Sequence, residues 1–284
     1  METGIIYEQE IRELLLGCIF KYASSSHIEE SLRTTSLHFE TLDNYNDIYE
    51  SDYRITHYFH SIEDQKALLD GPVTPFGNIK SKIDTYLSSL LVTCFSRSAF
   101  NSLMWSHYTN NHHGICYAID FTANEIPFTA PEMSWGNVQY STHIPEIAIF
   151  QDNTTEGTLR ASLADIVLTK SSDWSYEQEV RFFLRDNTNM QPFKPDTLKA
   201  VIIGRRTSDD EIAQISAIVD DFNNRNKTSV RVLFSMRVAS TYKVGVCSNQ
   251  GSREGGFNAR IPVLSDILSP VITTNPNNTG DEQD

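Results

Sequence analysis

The chain has 284 residues, 39% of them hydrophobic and 21% charged, and a formal net charge of −14; that is enough apolar material for one large domain or two small ones. Residues 1–70 carry 14 acidic against 5 basic side chains while residues 191–284 balance at 11 against 11, which argues against an extended nucleic-acid surface and leaves room for a local basic cleft holding one nucleotide. No apolar run approaches the roughly 20 residues that cross a bilayer, and the opening Met1-Glu2-Thr3-Gly4 lacks a basic leader, so no membrane partner and a cytoplasmic location are expected.

Ile5, Ile6, Ile11, Leu14, Leu15, Cys18 and Ile19 recur near helical spacing and predict an amphipathic helix over 5–20. A short helix over 27–33 and a brief strand over 36–39 follow, then a polar turn over 43–47. Residues 52–90 read as helical, interrupted at Gly71-Pro72 and Pro75-Phe76-Gly77. Leu90 to Ser96 forms an apolar run with a polar end, as expected of a central strand opening into a site. Residues 103–108 read as a short helix stopping near Gly114, with strands over 115–121 and 138–140. A helical stretch over 156–170 carries Leu159, Leu163, Ile166 and Val167 on one side.

The segment Trp174 to Phe183 is the most informative. Read as a strand, it puts Glu177, Glu179 and Arg181 on one face. Paired carboxylates in a cleft can be driven to different pKa values and divide binding from acid–base work; the blander alternative is that Arg181 neutralises them. Beyond it, 198–204 reads as a buried strand, 209–223 as a helix capped by Ser208 and 230–234 as a further strand. From Ser269 the composition predicts a disordered tail over 269–284, leaving 1–268 as a single α+β domain whose mixed, mainly antiparallel central sheet is flanked by helices.

Several reaction classes find little support. Cys18, Cys94, Cys116 and Cys247 are far apart and lack CxxC spacing, so reduced thiols are expected rather than a zinc ribbon or a disulfide scaffold. No G-x-S-x-G elbow, G-x-G-x-x-G loop or Walker A segment is present; Gly204-Arg205-Arg206 after a buried strand could hold an anion near the following helix start, but without those patterns Arg205 and Arg206 are expected to cover a surface. Trp105, Ser106, His107 and Tyr108, followed by His112 and His113, concentrate imidazoles and aromatics, but the spacing of His107 and His112 is not that of a zincin, so no metal is assigned. The open roles for His107 are ordinary packing, substrate binding and proton transfer.

Phe20-Lys21-Tyr22, Asn46-Asp47-Ile48-Tyr49-Glu50, Cys94-Phe95-Ser96, Leu103 to Tyr108 with His112 and Gly114-Ile115-Cys116, Lys170, and Trp174-x-Tyr176-Glu177-x-Glu179-x-Arg181 together resemble the bacterial domain-of-unknown-function family two-nine-seven-one over about residues 18–240. The chain departs from the family pattern at Ile48, where a proline is usual, so that turn is expected to be less rigid. More distantly, the order of parts resembles ADP-ribosyltransferases. That resemblance implies Lys21 or Tyr22 contacting NAD, Ser96 near the nicotinamide ribose, Glu179 as the catalytic carboxylate and Glu177 assisting. The leading expectation is therefore an NAD-using ADP-ribosyltransferase or glycohydrolase, in a stress or phage-defence setting, taking a small-molecule nucleotide as partner. Its catalytic residues would be Glu179, Glu177 and His107, and its binding residues Lys21, Tyr22, Ser96, Trp105, Tyr108, His112, Lys170, Tyr176 and Arg181. A non-catalytic recognition module displaying Trp105, Tyr108, Trp174 and Tyr176 is the alternative, and a metal-dependent hydrolase or nuclease using His107, His112 and Glu179 the third.

Overall fold

The computed structural model describes residues 9–58, 75–122, 125–150, 163–238, 242–248 and 250. Its centre is an eight-stranded sheet of order β14-β13-β12-β5-β1-β4-β10-β6. These strands are β1 (Cys18–Ala23), β4 (Leu90–Ser96), β5 (Ile115–Asp120), β6 (Ser134–Asn137), β10 (Glu179–Arg185), β12 (Leu198–Ile203), β13 (Arg231–Arg237) and β14 (Val244–Cys247). Neighbours are antiparallel except β12 and β13, which run parallel because helix α5 (Asp209–Asn226) carries the chain across between them. Three two-stranded ribbons complete the β structure: β2 (Ser36–His38) with β11 (Met190–Pro192), β3 (Arg54–Tyr58) with β8 (Glu146–Phe150), and β7 (Gln139–Ser141) with β9 (Thr169–Ser171). The fold is α+β, as the sequence predicts.

One face of the sheet packs Ile19, Phe95, Tyr117, Phe182 and Val201 against α2 (Ile28–Thr34) and α5, whose Leu32, Ile215, Val219 and Phe222 are buried. Each fully buried Phe or Ile there contributes roughly 1.5–3 kcal/mol. The other face divides into two apolar clusters. Phe20, Cys116, Ala118, Ile202 and Leu233 pack with Ile11 of α1 (Gln9–Leu15) and Trp105 of α4 (Ser102–Tyr108). Val92 packs with Ile83 and Leu87 of α3 (Pro75–Ser88) and with Ile166 and Val167. On β10 the residues facing this second side are Glu179, Arg181 and Phe183, so charge interrupts an otherwise apolar face.

Several boundaries differ from the sequence reading. Among the described residues the opening helix covers Gln9–Leu15 and stops short of residue 20, because Gly17 adopts φ +80° and turns Cys18 into β1, while residues 5–8 lie outside the described residues. Residues 54–58 form strand β3, consistent with their β-branched and aromatic content, and α3 begins at Pro75, where an interruption was expected. Proline is tolerated there because a first-turn N–H has no intrahelical partner. The helix α4 ends at Tyr108, since Asn110, Asn111 and His112 all have positive φ; His112 is therefore off the helix. The 156–170 helix is seen over 163–167 and gives way to β9 at Thr169, with Lys170 on the strand. The α5 cap at Ser208 accepts from Glu211 N–H as predicted. Leu159, the Gly71-Pro72 break and the 269–284 tail lie outside the described residues.

Candidate functional site

The strand expected to carry both glutamates begins only at Glu179. Residues Ser172–Glu177 form a 3₁₀ turn, started by Ser171 accepting from Asp173 N–H, and Gln178 takes a left-handed conformation at φ +48°. Glu177 therefore reaches the site from the turn, not from alternation along a strand. Ser96 secures this arrangement: it lies opposite Glu179 in register and its hydroxyl donates to the Glu177 carbonyl at 2.6 Å.

Five charged side chains converge here, all at most 7% exposed. Arg181 Nη2 and Nη1 reach the two carboxylate oxygens of Glu50 at 2.7 and 3.0 Å, Nη2 also bonds Glu179 at 3.0 Å, and Nη1 donates to the Val167 carbonyl at 2.6 Å. Lys170 Nζ donates to Glu177 Oε2 at 2.7 Å and lies 3.4 and 3.6 Å from Glu50 and Glu179. Tyr108 donates its hydroxyl to Glu177 Oε1 at 2.5 Å. The β7–β9 ribbon sets Tyr140 opposite Lys170, and the Tyr140 hydroxyl accepts the Glu179 N–H at 2.8 Å. Three carboxylates thus face two cations, and Arg181 pairs with Glu50 and Glu179 rather than with Glu177.

This pairing makes the two glutamates unlike. Burial works to raise both carboxyls. At Glu179 the charges of Arg181 and Lys170 outweigh burial and hold the group below its ordinary range. At Glu177 burial prevails over Lys170, helped by the neighbouring Glu179 charge, and the carboxyl is raised. Burial opposes the charged form of Lys170, but Glu179, Glu177 and Glu50 overcome it and keep the ammonium protonated. Burial and the bond to Glu177 raise the Tyr108 hydroxyl.

An aromatic rim borders the charged group. The Trp174 ring lies 4.9 Å from Lys170 Nζ and 6.1 Å from Tyr176, and His107 lies 6.4 Å from Tyr176 and 6.2 Å from Tyr108. Tyr108, Trp174 and Tyr176 are half-buried, and His107 is exposed. Such rings can stack a nucleobase or cover a sugar face.

The sequence-derived candidates divide accordingly. Tyr108, Lys170, Glu177, Glu179 and Arg181 meet, Ser96 braces them, and His107 and Tyr176 form the rim. Trp105 is neither displayed nor available to a ligand: it is 0% exposed in the apolar core, where the Tyr22 ring edge meets it at 5.2 Å, Tyr22 OH donates to the Ser98 carbonyl and Trp105 Nε1 to the Ala99 carbonyl. Lys21 is not part of the group. Alternation along β1 points it to the opposite face of the sheet, where Nζ donates to Thr93 Oγ1 at 2.6 Å above the Phe95 ring. His112 turns elsewhere, stacking on Trp105 at 6.5 Å and bonding Ser106 Oγ at 3.3 Å. Among the described residues no group of three or more His, Cys, Asp or Glu could hold a metal ion.

Glu50 and Tyr140 were absent from the sequence-derived set. Nothing local to Glu50 marks it as a partner of a residue 131 positions away; its one signal is its place at the end of Asn46-Asp47-Ile48-Tyr49-Glu50. Asp47 organises that turn, its side chain accepting Tyr49 N–H at 3.0 Å and its carbonyl accepting Glu50 N–H at 3.1 Å.

Residues 104–182 match the family model described as "Protein of unknown function (DUF2971)". The matched stretch contains Tyr108, Lys170, Glu177, Glu179 and Arg181 but not Glu50. No curated protein and no solved structure matches the chain.

Proposed function

We propose that this chain, a member of the DUF2971 family, acts on the N-glycosidic bond of a nucleotide of the NAD class, releasing the base and passing the ribosyl group to water or another acceptor. The observation that carries this reading is the division of labour between two neighbouring carboxyls. Glu179 is held ionised by Arg181, whereas Glu177, bonded to Tyr108 beneath the aromatic rim, has a raised affinity for a proton. When the bond to nicotinamide breaks, the base leaves with the bonding pair and positive charge develops on the ribose. A carboxylate there offsets that charge by several kcal/mol in a water-poor site. In this assignment Glu177 supplies it and takes the proton of the incoming water or acceptor, its raised pKa making it the better base. Lys170 and Tyr108 orient it, and Tyr176 and Trp174 stack the base. Relative to the order-of-parts expectation, the reacting role passes from Glu179 to Glu177.

The test is nicotinamide release from NAD by the purified chain, beside Glu177→Gln and Glu179→Gln. Turnover that falls at least about a hundredfold in Glu177→Gln supports the assignment. No release with or without cell extract as a source of acceptor, or equal release by wild type and Glu177→Gln, rejects it.

The near-complete burial of the five charged groups favours a second reading, a non-catalytic recognition module whose charged network fixes the fold. Absence of turnover together with strong destabilisation on loss of either glutamate would select it.

A further inference from the structure

A concavity lies at the carboxyl ends of β12 and β13, the parallel pair of the main sheet. None of the five charged residues described above lines it. Its walls are Arg205 and Arg206 from the turn after β12, Ser235 and Arg237 near the end of β13, His112 from the turn after α4, and Val244 of β14, around a cavity of about 130 Å³. The ends of parallel strands joined by a helical crossover are where open α/β sheets receive ligands.

The groups lining this cavity include donors without acceptors. Ser235 is 0% exposed, yet its hydroxyl has no hydrogen-bond partner, and the buried Nε of Arg205 has none either. Buried polar atoms are nearly always satisfied, and orphans in a native fold point to a group that completes them. The charge is equally one-sided: among the described residues Arg205, Arg206 and Arg237 form no ion pair, in a protein of net charge −14. The turn that presents the arginines is fixed. Gly204 N–H donates to the Gly114 carbonyl at 2.8 Å, Arg206 N–H to the His112 carbonyl at 2.9 Å, and the Thr207 hydroxyl to the His113 carbonyl at 2.8 Å. Gly204 allows this close approach, since a Cβ there would collide with the His112 carbonyl oxygen.

We propose that this cavity is a binding site for a phosphate group, with Arg205 and Ser235 as its inner donors and Arg206, Arg237 and His112 at its mouth. Guanidinium forks and a hydroxyl match tetrahedral oxyanions, and charge-assisted bonds of this kind are the stronger class. The cavity admits one phosphate, either free or as the terminal group of a phosphorylated small molecule. This assignment goes beyond the expectation that Arg205 and Arg206 cover a surface, and it does not depend on the carboxylate chemistry.

Calorimetric titration of the full chain with inorganic phosphate, ribose 5-phosphate and AMP, in chloride buffer at matched ionic strength, tests it. One saturable site is expected, weakened at least about tenfold by Arg205→Gln and by Ser235→Ala. Equal affinities identify free phosphate as sufficient; AMP binding tighter by tenfold or more identifies a nucleotide as the source. Arg206→Gln, at an exposed position, carries the test if those two variants do not fold, and must weaken binding several-fold. No saturable binding of any of the three, or binding unchanged in Arg205→Gln or Arg206→Gln, overturns the proposal.

Discussion

Arg181 grips Glu50 with both terminal nitrogens, at 2.7 and 3.0 Å, and so fastens an early turn to the central strand β10. Both groups are buried, so their charges depend on each other. Glu50→Gln leaves the guanidinium under-neutralised and is expected to destabilise by about 3–5 kcal/mol. Replacing both residues by apolar ones, Glu50→Leu with Arg181→Met, is expected to cost less than the single change. Urea denaturation of the two variants measures this; a single variant as stable as wild type would show the pair to be idle.

The two glutamates should respond oppositely to substitution. Glu179 has a depressed folded pKa, so its contribution to stability is present above its ordinary value of 4.5 and is lost as pH falls through the folded value. Glu177 has a raised folded pKa, so its protonated form is favoured by the fold, and its contribution is present below 4.5 and lost as pH rises through the folded value. At pH 7, Glu179→Gln is expected to lower the melting temperature by several degrees, whereas Glu177→Gln is expected to leave it unchanged or raise it. Thermal scans from pH 3 to 8 check the signs, and a larger loss at pH 7 for Glu177→Gln than for Glu179→Gln would contradict them.

Lys21 offers a contrasting case. Burial depresses its pKa more than Cys94 and Glu179 restore it, so folding weakens the amine's hold on its proton and stability rises with pH towards the ordinary value of 10.5. Lys21→Met, which keeps the stem, is expected to be neutral or stabilising at pH 7. Because Lys21 faces away from Glu177, NAD turnover in that variant should stay within about twofold of wild type, the range left when no substrate contact is removed. A large loss of turnover with unchanged stability would return Lys21 to the site.

Gly204 is expected to tolerate no side chain. A Cβ there meets the carbonyl oxygens of both His112 and Gly114, which are backbone atoms that cannot swing aside. Gly204→Ala should cost about 1–3 kcal/mol and weaken phosphate binding by displacing Arg205. Chemical denaturation and the phosphate titration check the two halves separately; an alanine variant of wild-type stability would mean that this contact relaxes freely.

Periodic apolar segments made much of this legible in advance. Leu90–Ser96, Leu198–Ile203 and Asp209–Asn226 carry strong local patterns, and they form the predicted elements. Elements set by tertiary contact were not visible: β3 pairs with β8, Arg54 facing Glu146 far along the chain, and Gly17 ends α1 through a backbone angle that no periodicity announces. At the site, Glu177, Glu179, Arg181 and Tyr108 were legible from clustering along the chain, and Lys170 from the family resemblance alone. Their roles were not, because the left-handed Gln178 breaks the alternation that appeared to equate the glutamates. Glu50, the partner that Arg181 holds with both terminal nitrogens, comes from a distant turn.

The inequality of Glu177 and Glu179 underlies the proposed chemistry, and it can be read directly. Carbon-detected NMR titration of glutamate-labelled chain, with Glu177→Gln and Glu179→Gln providing the assignments, reports each carboxyl separately. The expected result is a Glu177 midpoint above the ordinary value of 4.5 and a Glu179 midpoint below it. The reverse order, or two coincident midpoints, would contradict the division of roles between them.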